Sequence, residues 1–410
     1  MKKRYGWKFV IFLFMMGLMG CGNDKTEETC KEKTQEPEKL VLWSYYETKA
    51  QQEGLEKLVR RFNESQEKYE ISWEYIPMAE FTRSLCFSSS SDELPDLILA
   101  DNPDMESLIK IGLLADITDN LEGRISVEEY YPEVWKSVEY QGSYYGVPFS
   151  CNNTAIIYNK RMFRDKNIQV PVTWSDFKKA AEKLTTKGTE DCYGFAMCAL
   201  GGEQGAFQFM SWILATGADK ENLTDQKVRD AFCLIDQLLS ENCMPNDCLN
   251  WTQNDLTRSF VAGETAMIEN GPWAIPEIER SGIEYGIFEF PVYATRGVVL
   301  GGENLAAVDG KNVDGAVAFI DYYNQKEIME EICQVTRNIP PKMELAKDYG
   351  KNNPNYQVFI NQMERGVSRG TVKNWKTICR AISESLKQMF GSRYNVEDVW
   401  NQYVSAVRLE

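Results

Sequence analysis

The chain has 410 residues, enough for two or three domains with a substantial hydrophobic core. Its 45 Lys and Arg residues are outnumbered by 61 Asp and Glu residues, a formal net charge of −16 that repels phosphate backbones and argues against nucleic-acid binding. It contains no histidine, which excludes Ser-His-Asp and Cys-His catalysis and imidazole metal sites. Any enzymatic activity would therefore have to use carboxylates, Lys, Tyr or Cys.

The N-terminus has the pattern of a bacterial signal peptide. A cationic leader precedes an apolar run over residues 9–19, which is too short to span a bilayer as a helix. The run ends in Leu18-Met19-Gly20-Cys21, which resembles a lipobox, in which the cysteine receives the lipid. We therefore expect residues 1–20 to be a signal peptide and Cys21 to be lipidated, tethering the protein to the cell membrane on its extracytoplasmic face. A plain secretory signal with a coincidental cysteine is the alternative.

The next segment, residues 22–38, contains no aliphatic or aromatic side chain. Because such a segment cannot bury a core, we expect residues 21–38 to be a lipid anchor followed by a disordered linker. As a flexible coil, the linker would reach roughly 20–25 Å from the membrane.

The cysteines give no firm disulfide prediction. An exported protein can form disulfides, and Cys192/Cys198 and Cys243/Cys248 are close enough in sequence to pair. No CxxC spacing occurs, so a zinc ribbon is not expected. The remaining cysteines of the folded region lie in apolar or helical contexts that predict buried free thiols: Cys86, Cys151, Cys233, Cys333 and Cys379.

Beyond the linker, apolar runs alternate with amphipathic stretches. Residues 40–45, 71–75 and 96–100 predict strands, and the apolar spacing over residues 55–62 predicts a helix between the first two. This βαβα order predicts a parallel sheet with helices on both faces. Ligands of such sheets bind at the carboxyl ends of the strands, which places Tyr45-Tyr46-Glu47 and Asp101-Asn102 at the mouth of a cleft.

The alternation continues to the C-terminus. Thr173 is a good N-cap for a helix, and the chain becomes helical from residue 353 on. Further helices are predicted over residues 205–216, 225–240, 253–262, 313–324 and 326–335, and further strands over 155–158, 265–269, 284–290 and 303–308. Two α/β lobes with the chain crossing between them are the simplest arrangement.

Several motifs carry a resemblance to a known family, in an order and spacing that span nearly the whole mature chain. The most extensive covers residues 260–273, FVAGETAMIENGPW; the others are LVLW at 40–43, LPDLI at 94–98, GLLADIT at 112–118, YGVPF at 145–149, IYNK at 157–160, VTW at 172–174, GGENLA at 301–306 and NIP at 338–340. Together they resemble the extracellular solute-binding proteins of family 1, the maltose-binding-protein-like receptors of ABC importers.

The resemblance implies a two-lobe periplasmic-binding-protein-like α/β fold, each lobe a sheet flanked by helices, with the ligand in a cleft between the lobes and enclosed by hinge closure. We expect the N-terminal lobe to comprise residues 39–148 plus 298–338, and the C-terminal lobe residues 149–297 plus 339–410. The chain should then cross between lobes near residues 148–152, 290–300 and 337–342.

A sugar in this cleft would stack its C–H faces on aromatic rings and pair its hydroxyls with carboxylates and amides. Trp273 matches the family's sugar-stacking tryptophan and Trp375 a second aromatic position, although either could be a packing residue. Glu47 matches a family acid that binds sugar hydroxyls, but it could instead complement a helix dipole. The further candidates are Tyr46, Asp101, Asn102, Asn152, Phe209, Glu303 and Asn304.

These candidates also have structural alternatives. Asp101 and Asn102 could cap a helix, and the helical Phe207 and Phe209 could belong to the core. Asn152 stands where maltodextrin-type members carry an acid, and Ala100 where they carry a tryptophan. Both departures argue against malto-oligosaccharide specificity.

The sequence therefore predicts a lipid-anchored substrate-binding protein of an ABC importer, which binds a carbohydrate, most simply an oligosaccharide, and delivers it to membrane permease subunits as a monomer. We expect no catalysis, cofactor, metal or nucleic acid. Two alternatives stay open: a cell-surface glycoside hydrolase that uses a carboxylate pair, and a receptor that presents its ligand to a membrane sensor.

Overall fold

The computed structural model describes residues 36–88, 93–187, 191–391 and 393–408. The predicted signal peptide, the lipidation at Cys21 and nearly all of the linker lie outside these residues. The strands are β1 (Glu38–Ser44), β2 (Tyr69–Tyr75), β3 (Leu97–Asp101), β4 (Glu139–Tyr140), β5 (Ser143–Tyr144), β6 (Val147–Pro148), β7 (Asn152–Asn153), β8 (Ala155–Asn159), β9 (Met267–Asn270), β10 (Tyr285–Phe288), β11 (Val299–Gly301), β12 (Glu303–Ala307) and β13 (Val367–Ser368).

The helices of the described residues include one at each position where the apolar periodicity predicts a helix. They are α1 (Lys49–Ser65), α2 (Met78–Ser88), α3 (Met105–Lys110), α4 (Thr118–Leu121), α5 (Pro132–Trp135), α6 (Lys160–Asp165), α7 (Trp174–Leu184), α8 (Glu203–Ala215), α9 (Arg229–Ser240), α10 (Gln253–Ala262), α11 (Ile275–Ser281), α12 (Val313–Asn324), α13 (Lys326–Thr336), α14 (Met343–Asn352), α15 (Gln357–Gln362), α16 (Trp375–Met389) and α17 (Val396–Arg408). Over the part of the chain that the structure describes, none of them is long and apolar enough to span a bilayer.

The first lobe is built on a five-stranded sheet in the order β2-β1-β3-β12-β6. β1 is parallel to β2 and β3, as predicted, but β12 runs antiparallel to both β3 and β6. The sheet is therefore mixed and not purely parallel, because β12 enters it from the other lobe, at the end where β3 leaves. This register sets Glu303 directly beside Asp101, so two acidic side chains meet at the carboxyl end of β3.

Helix α1 shows how local sequence produces the packing of this lobe. Thr48 caps its N-terminus in a capping box with Gln51, and the predicted apolar stripe faces the core. In that core the ring of Phe62 meets Phe319 edge-on, with centroids 5.1 Å apart. Burial of the stripe packs α1 against the edge strand β2 and against helices α12 and α13.

The second lobe contains two three-stranded sheets, β10-β8-β9 and β13-β11-β7. Its main core gathers helices α7 to α10, α16 and α17 around the fully buried Trp212. Thr173 caps α7 in a capping box with Asp176, which confirms the predicted N-cap. The long C-terminal segment is mostly helical but also contributes β13.

The crossings between the lobes lie side by side. Cys151 and Ile339 form an antiparallel bridge, with the amide of Cys151 donating to the carbonyl of Ile339 over 3.1 Å. Gly302 separates β11 from β12; its φ of +136° and a distance of only 2.2 Å from an added Cβ to the Ser150 carbonyl oxygen both require glycine. Because β11 pairs within the second lobe, we propose that the chain returns to the first lobe at Gly302 and not at residue 298.

The cysteines are mostly buried, with two departures. Cys151, Cys333 and Cys379 are buried as predicted, and the described thiols of Cys192, Cys198, Cys243 and Cys248 form no disulfide. Cys86 is exposed and Cys233 half-buried, contrary to prediction. Both lie on amphipathic helices whose apolar stripes consist of other residues, so the apolar neighbourhood in sequence did not indicate which face each cysteine occupies.

Candidate functional site

A cavity of about 140 Å³ lies where the two lobes face each other. Its walls combine loops at the ends of β1 and β3, the crossing at Gly302, and the N-terminal ends of α8 and α10. The residues that line it are Tyr45, Tyr46, Glu47, Thr48, Gln51, Met78, Asp101, Asn152, Glu203, Gln204, Phe207, Thr252, Gln253, Asn254, Trp273, Gly302, Glu303, Asn338 and Arg369.

Glu303 organises the first-lobe wall of this cleft. Its carboxylate accepts hydrogen bonds from the hydroxyls of Tyr45, at 3.4 Å, and Tyr46, at 3.1 Å, and also from the Ser150 hydroxyl. The Tyr46 hydroxyl in turn accepts a hydrogen bond of 2.6 Å from the amide of Asn338 in the third crossing. Burial raises the pKa of Glu303, while these donors act in the opposite direction. The network fixes the two tyrosines and both crossings around one carboxyl group.

Arg369 organises the opposite wall. It lies on a 3₁₀ turn just after β13 and is only 4% exposed. Its Nη2 lies 2.8 Å from Asp101 Oδ1, and its Nη1 lies 2.5 Å from Glu203 Oε2. The guanidinium also lies over the Phe207 ring, 4.2 Å from the centroid. Burial raises the pKa of Asp101, and the adjacent guanidinium opposes that rise.

An aromatic surface completes the cleft. Trp273 lies on a 3₁₀ turn that follows β9, and its side chain is half-buried. Its indole Nε1 has no hydrogen-bond partner among the described residues. Its ring packs so closely on Gly271 that an added Cβ there would come within 2.1 Å of it. The ring centroid of Phe207 lies 6.3 Å from that of Trp273, at an interplanar angle of 35°. The glycine thus sets the position at which the tryptophan ring meets the cavity.

The structure brings six of the ten sequence-predicted ligand contacts together in this cavity: Tyr46, Glu47, Asp101, Asn152, Trp273 and Glu303. They come from both lobes and are separated by up to 257 positions in the chain. None of them is shown to bind a ligand, and their role stays a prediction.

The other four predicted contacts lie outside the cavity lining. Phe209 is fully buried and packs edge-on against Phe232. Asn304 is fully buried and hydrogen-bonds Ser137. In each case a neighbour lines the cavity instead: Phe207, about 200° away around α8, and Glu303, on the other face of β12.

Trp375 and Asn102 are also turned away. The Trp375 ring is 5% exposed, and its Nε1 donates to Glu203 Oε1 over 2.5 Å, so Trp375 holds an acid of the cleft instead of lining it. The Asn102 amide is buried without a hydrogen-bond partner among the described residues. Only the preceding residue, Asp101, reaches the cavity.

Sequence reasoning missed the ion-pair network and the N-terminus of α10. Arg369 has no sequence signal, because its partner Asp101 is 268 positions away. Glu203 is the first residue of α8, but in the sequence it stands within a Gly-rich stretch that is typical of an ordinary loop. The sequence did contain a signal for residues 252–254. Thr252 and Asp255 have the spacing of a capping box and form one at the start of α10, which lies beside β9, the strand that ends at the cleft.

Two α/β lobes, three adjacent crossings and a polar, aromatic cleft between the lobes define a two-lobed solute-binding protein. The family model described as "Bacterial extracellular solute-binding protein" matches residues 57–358, and the chain belongs to this family. Membership confirms the predicted family and places the chain on the extracytoplasmic side.

Relatives with assigned names cover most of the chain. The multiple sugar-binding protein of Streptococcus mutans is 24% identical over 364 residues, 81% of this chain and 81% of its own. The sn-glycerol-3-phosphate-binding periplasmic protein of Rhizobium meliloti is 24% identical over 362 residues, 79% of this chain and 81% of its own. Both are named as solute-binding proteins and not as enzymes.

Solved structures share the fold. A solute-binding protein of an ABC transporter from Thermotoga lettingae, bound with α-D-tagatose, superimposes with a TM-score of 0.81 at 19% identity, covering 91% of this chain and 99% of its own. The GacH receptor of Streptomyces glaucescens, solved unliganded and with acarbose, gives 0.80 at 20% identity, covering 91% and 98%. These likenesses confirm the predicted two-lobe fold.

Proposed function

We propose that this chain binds a carbohydrate in the cleft between its lobes and delivers it to the permease of an ABC importer. The observation that carries the proposal is the half-buried Trp273 ring in one cavity with the carboxyl groups of Glu303 and Asp101. An aromatic face beside fixed acceptors suits a pyranose, whose C–H faces are apolar and whose equator is lined with hydroxyls.

The remaining polar groups of the cavity fit the same ligand. The amides of Asn152, Gln253 and Asn338 can both donate and accept, as a hydroxyl does. The names of the relatives support this reading, because they include a multiple sugar-binding protein and structures solved with tagatose and acarbose.

The size of the cavity bears on the length of the ligand. Its volume of about 140 Å³ is below the roughly 300–1,000 Å³ of pockets for drug-sized ligands. We propose that one sugar ring occupies the cavity beside Trp273, and that the rest of an oligosaccharide extends through the open side of the cavity.

Hinge closure and tethering complete the proposal. The bridge between Cys151 and Ile339 and the turn at Gly302 are the places where the lobes can rotate. A receptor lipidated at Cys21 would stay at the membrane as a monomer, and its closed form would be the one that the permease recognises.

A thermal-shift screen against neutral mono- and oligosaccharides tests the function, because a ligand at 100 times its dissociation constant adds about 2.7 kcal/mol to stability. We expect at least one sugar to raise the melting temperature. Incubation with that sugar should release no reducing ends, which separates a receptor from a glycoside hydrolase. A screen in which no sugar shifts the melting temperature contradicts the proposal.

A further inference from the structure

The cleft has an unbalanced charge. Four acidic residues line it: Glu47, Asp101, Glu203 and Glu303. Among the described residues that line the cavity, Arg369 is the one cation. A bound anion would therefore have a single attractive partner and several repulsive ones.

That one cation is already committed to the protein. Asp101 holds one terminal nitrogen of Arg369, Glu203 holds the other, and Phe207 covers one face of the guanidinium. Protonating Asp101 and Glu303 would not free Arg369, since Glu203 would still offset its charge and Glu47 would still face the cavity. The nearby Lys376 lies 3.9 Å from Asp104 and does not line the cavity.

We infer that this cleft admits uncharged sugars and rejects sugar phosphates, glycerol phosphates and uronates. The inference rests on the proposed function, and the cluster of Asp101, Arg369 and Glu203 is the determinant of this selection. Both terminal nitrogens of Arg369 hold a carboxylate, and its Nε is buried without a hydrogen-bond partner among the described residues. An anion at the guanidinium would therefore lie beside Asp101 and Glu203, or would displace one of them and leave that carboxylate unpaired. Selectivity of this kind comes from penalising the wrong ligand as much as from attracting the right one.

The inference separates this chain from relatives of similar identity. The relatives include a protein named for binding multiple sugars and a protein named for binding sn-glycerol-3-phosphate. Identity of 24% to each does not distinguish between these two ligand classes. The charge pairing of Arg369 with Asp101 and Glu203 favours the neutral ligand class.

The test uses glycerol 3-phosphate and inorganic phosphate as probes, with calorimetry and melting curves on the native protein and on an Asp101→Asn/Glu203→Gln double variant. The double variant changes the formal charge of the three side chains Asp101, Glu203 and Arg369 from −1 to +1. The matched control is Asp321→Asn/Glu331→Gln, which removes two acids from exposed ion pairs on the first lobe. We expect no binding of either probe at 10 mM to the native protein or the control, and at least tenfold tighter binding to the double variant.

Saturable binding of glycerol 3-phosphate to the native protein overturns the inference, as does a double variant that binds neither probe better than the control. If the double variant does not fold, the single variant Glu203→Gln is held to the same criterion. Neutral sugars are titrated in parallel. If the native protein binds no sugar but the double variant gains phosphate binding, the proposed function alone is refuted. A native protein that binds both a neutral sugar and glycerol 3-phosphate refutes the charge selection alone.

Discussion

Arg369 and Asp101 form a buried ion pair across the cleft, with 2.8 Å between Nη2 and Oδ1. Asp101 ends β3 of the first lobe, and Arg369 follows β13 of the second. Their pairing joins the two lobes directly. Since each charge is buried, each depends on the other for compensation.

Replacing Arg369 with methionine should separate the lobes or destabilise the fold. The change leaves Asp101 and Glu203 without their cation, and breaking a buried pair in this way typically costs about 3–5 kcal/mol. We expect a larger radius of gyration in scattering of the unliganded variant, or a lower free energy of unfolding in denaturant.

Arg124→Met is the matched control for this change, because it breaks the exposed pair with Asp321. Its expected effect is within about 1 kcal/mol. Equal stability and equal radius for both variants would show that the Arg369 pair does not hold the lobes together.

Glu269 should make stability depend on pH. It is fully buried, accepts hydrogen bonds from Thr154 and Trp212, and has its pKa raised by burial. A raised pKa means that the folded state holds this proton more tightly than the unfolded state. Its contribution to stability is therefore complete below the unfolded pKa of about 4.3 and is lost as pH rises toward the folded pKa.

The variant Glu269→Gln tests this sign. Glutamine keeps the volume and an acceptor for Trp212 but has no proton to lose. We expect the variant to be more stable than the native protein at pH 8, with the difference shrinking toward pH 4.5 in denaturant titrations. A difference that stays constant across this range would rule out the ionisation of Glu269 as its cause.

Changing Cys21 to serine should release the protein from the membrane. The prediction rests on Leu18-Met19-Gly20-Cys21 at the end of the apolar run. Stable retention needs more than one acyl chain, so loss of the modified cysteine should leave little affinity. Fractionation of cells and medium measures the outcome, and a variant that fractionates and migrates like the parent contradicts lipidation at Cys21.

The fold could be read largely from local pattern. The apolar stripe of α1 and the N-cap at Thr173 follow from residues within one or two helical turns, and both are present. The position of the cleft also followed, because Tyr46 and Asp101 come at strand ends and strand ends in such sheets meet at one edge.

The details of the site depended on information that local pattern lacks. Whether Phe207 or Phe209 lines the cavity depends on how α8 is rotated about its axis. Because α8 is apolar on nearly every side, its sequence does not indicate that rotation. The antiparallel entry of β12 is a property of the chain's return from the second lobe. Arg369 meets Asp101 only when the two lobes come together.

The most direct test of carbohydrate binding in this cleft is calorimetric titration of a sugar found in the screen into the native protein and into Trp273→Ala. Loss of an aromatic anchor commonly costs about 2–4 kcal/mol, or roughly 30- to 1,000-fold in affinity. The control Trp375→Ala should lose less, since Trp375 does not line the cavity and reaches it through its hydrogen bond to Glu203. Because the Trp375 ring belongs to the core of the second lobe, melting of each unliganded variant establishes that it is folded. The account predicts micromolar or tighter binding to the native protein and a loss of at least 30-fold in Trp273→Ala; native affinity in a folded Trp273→Ala protein would contradict it.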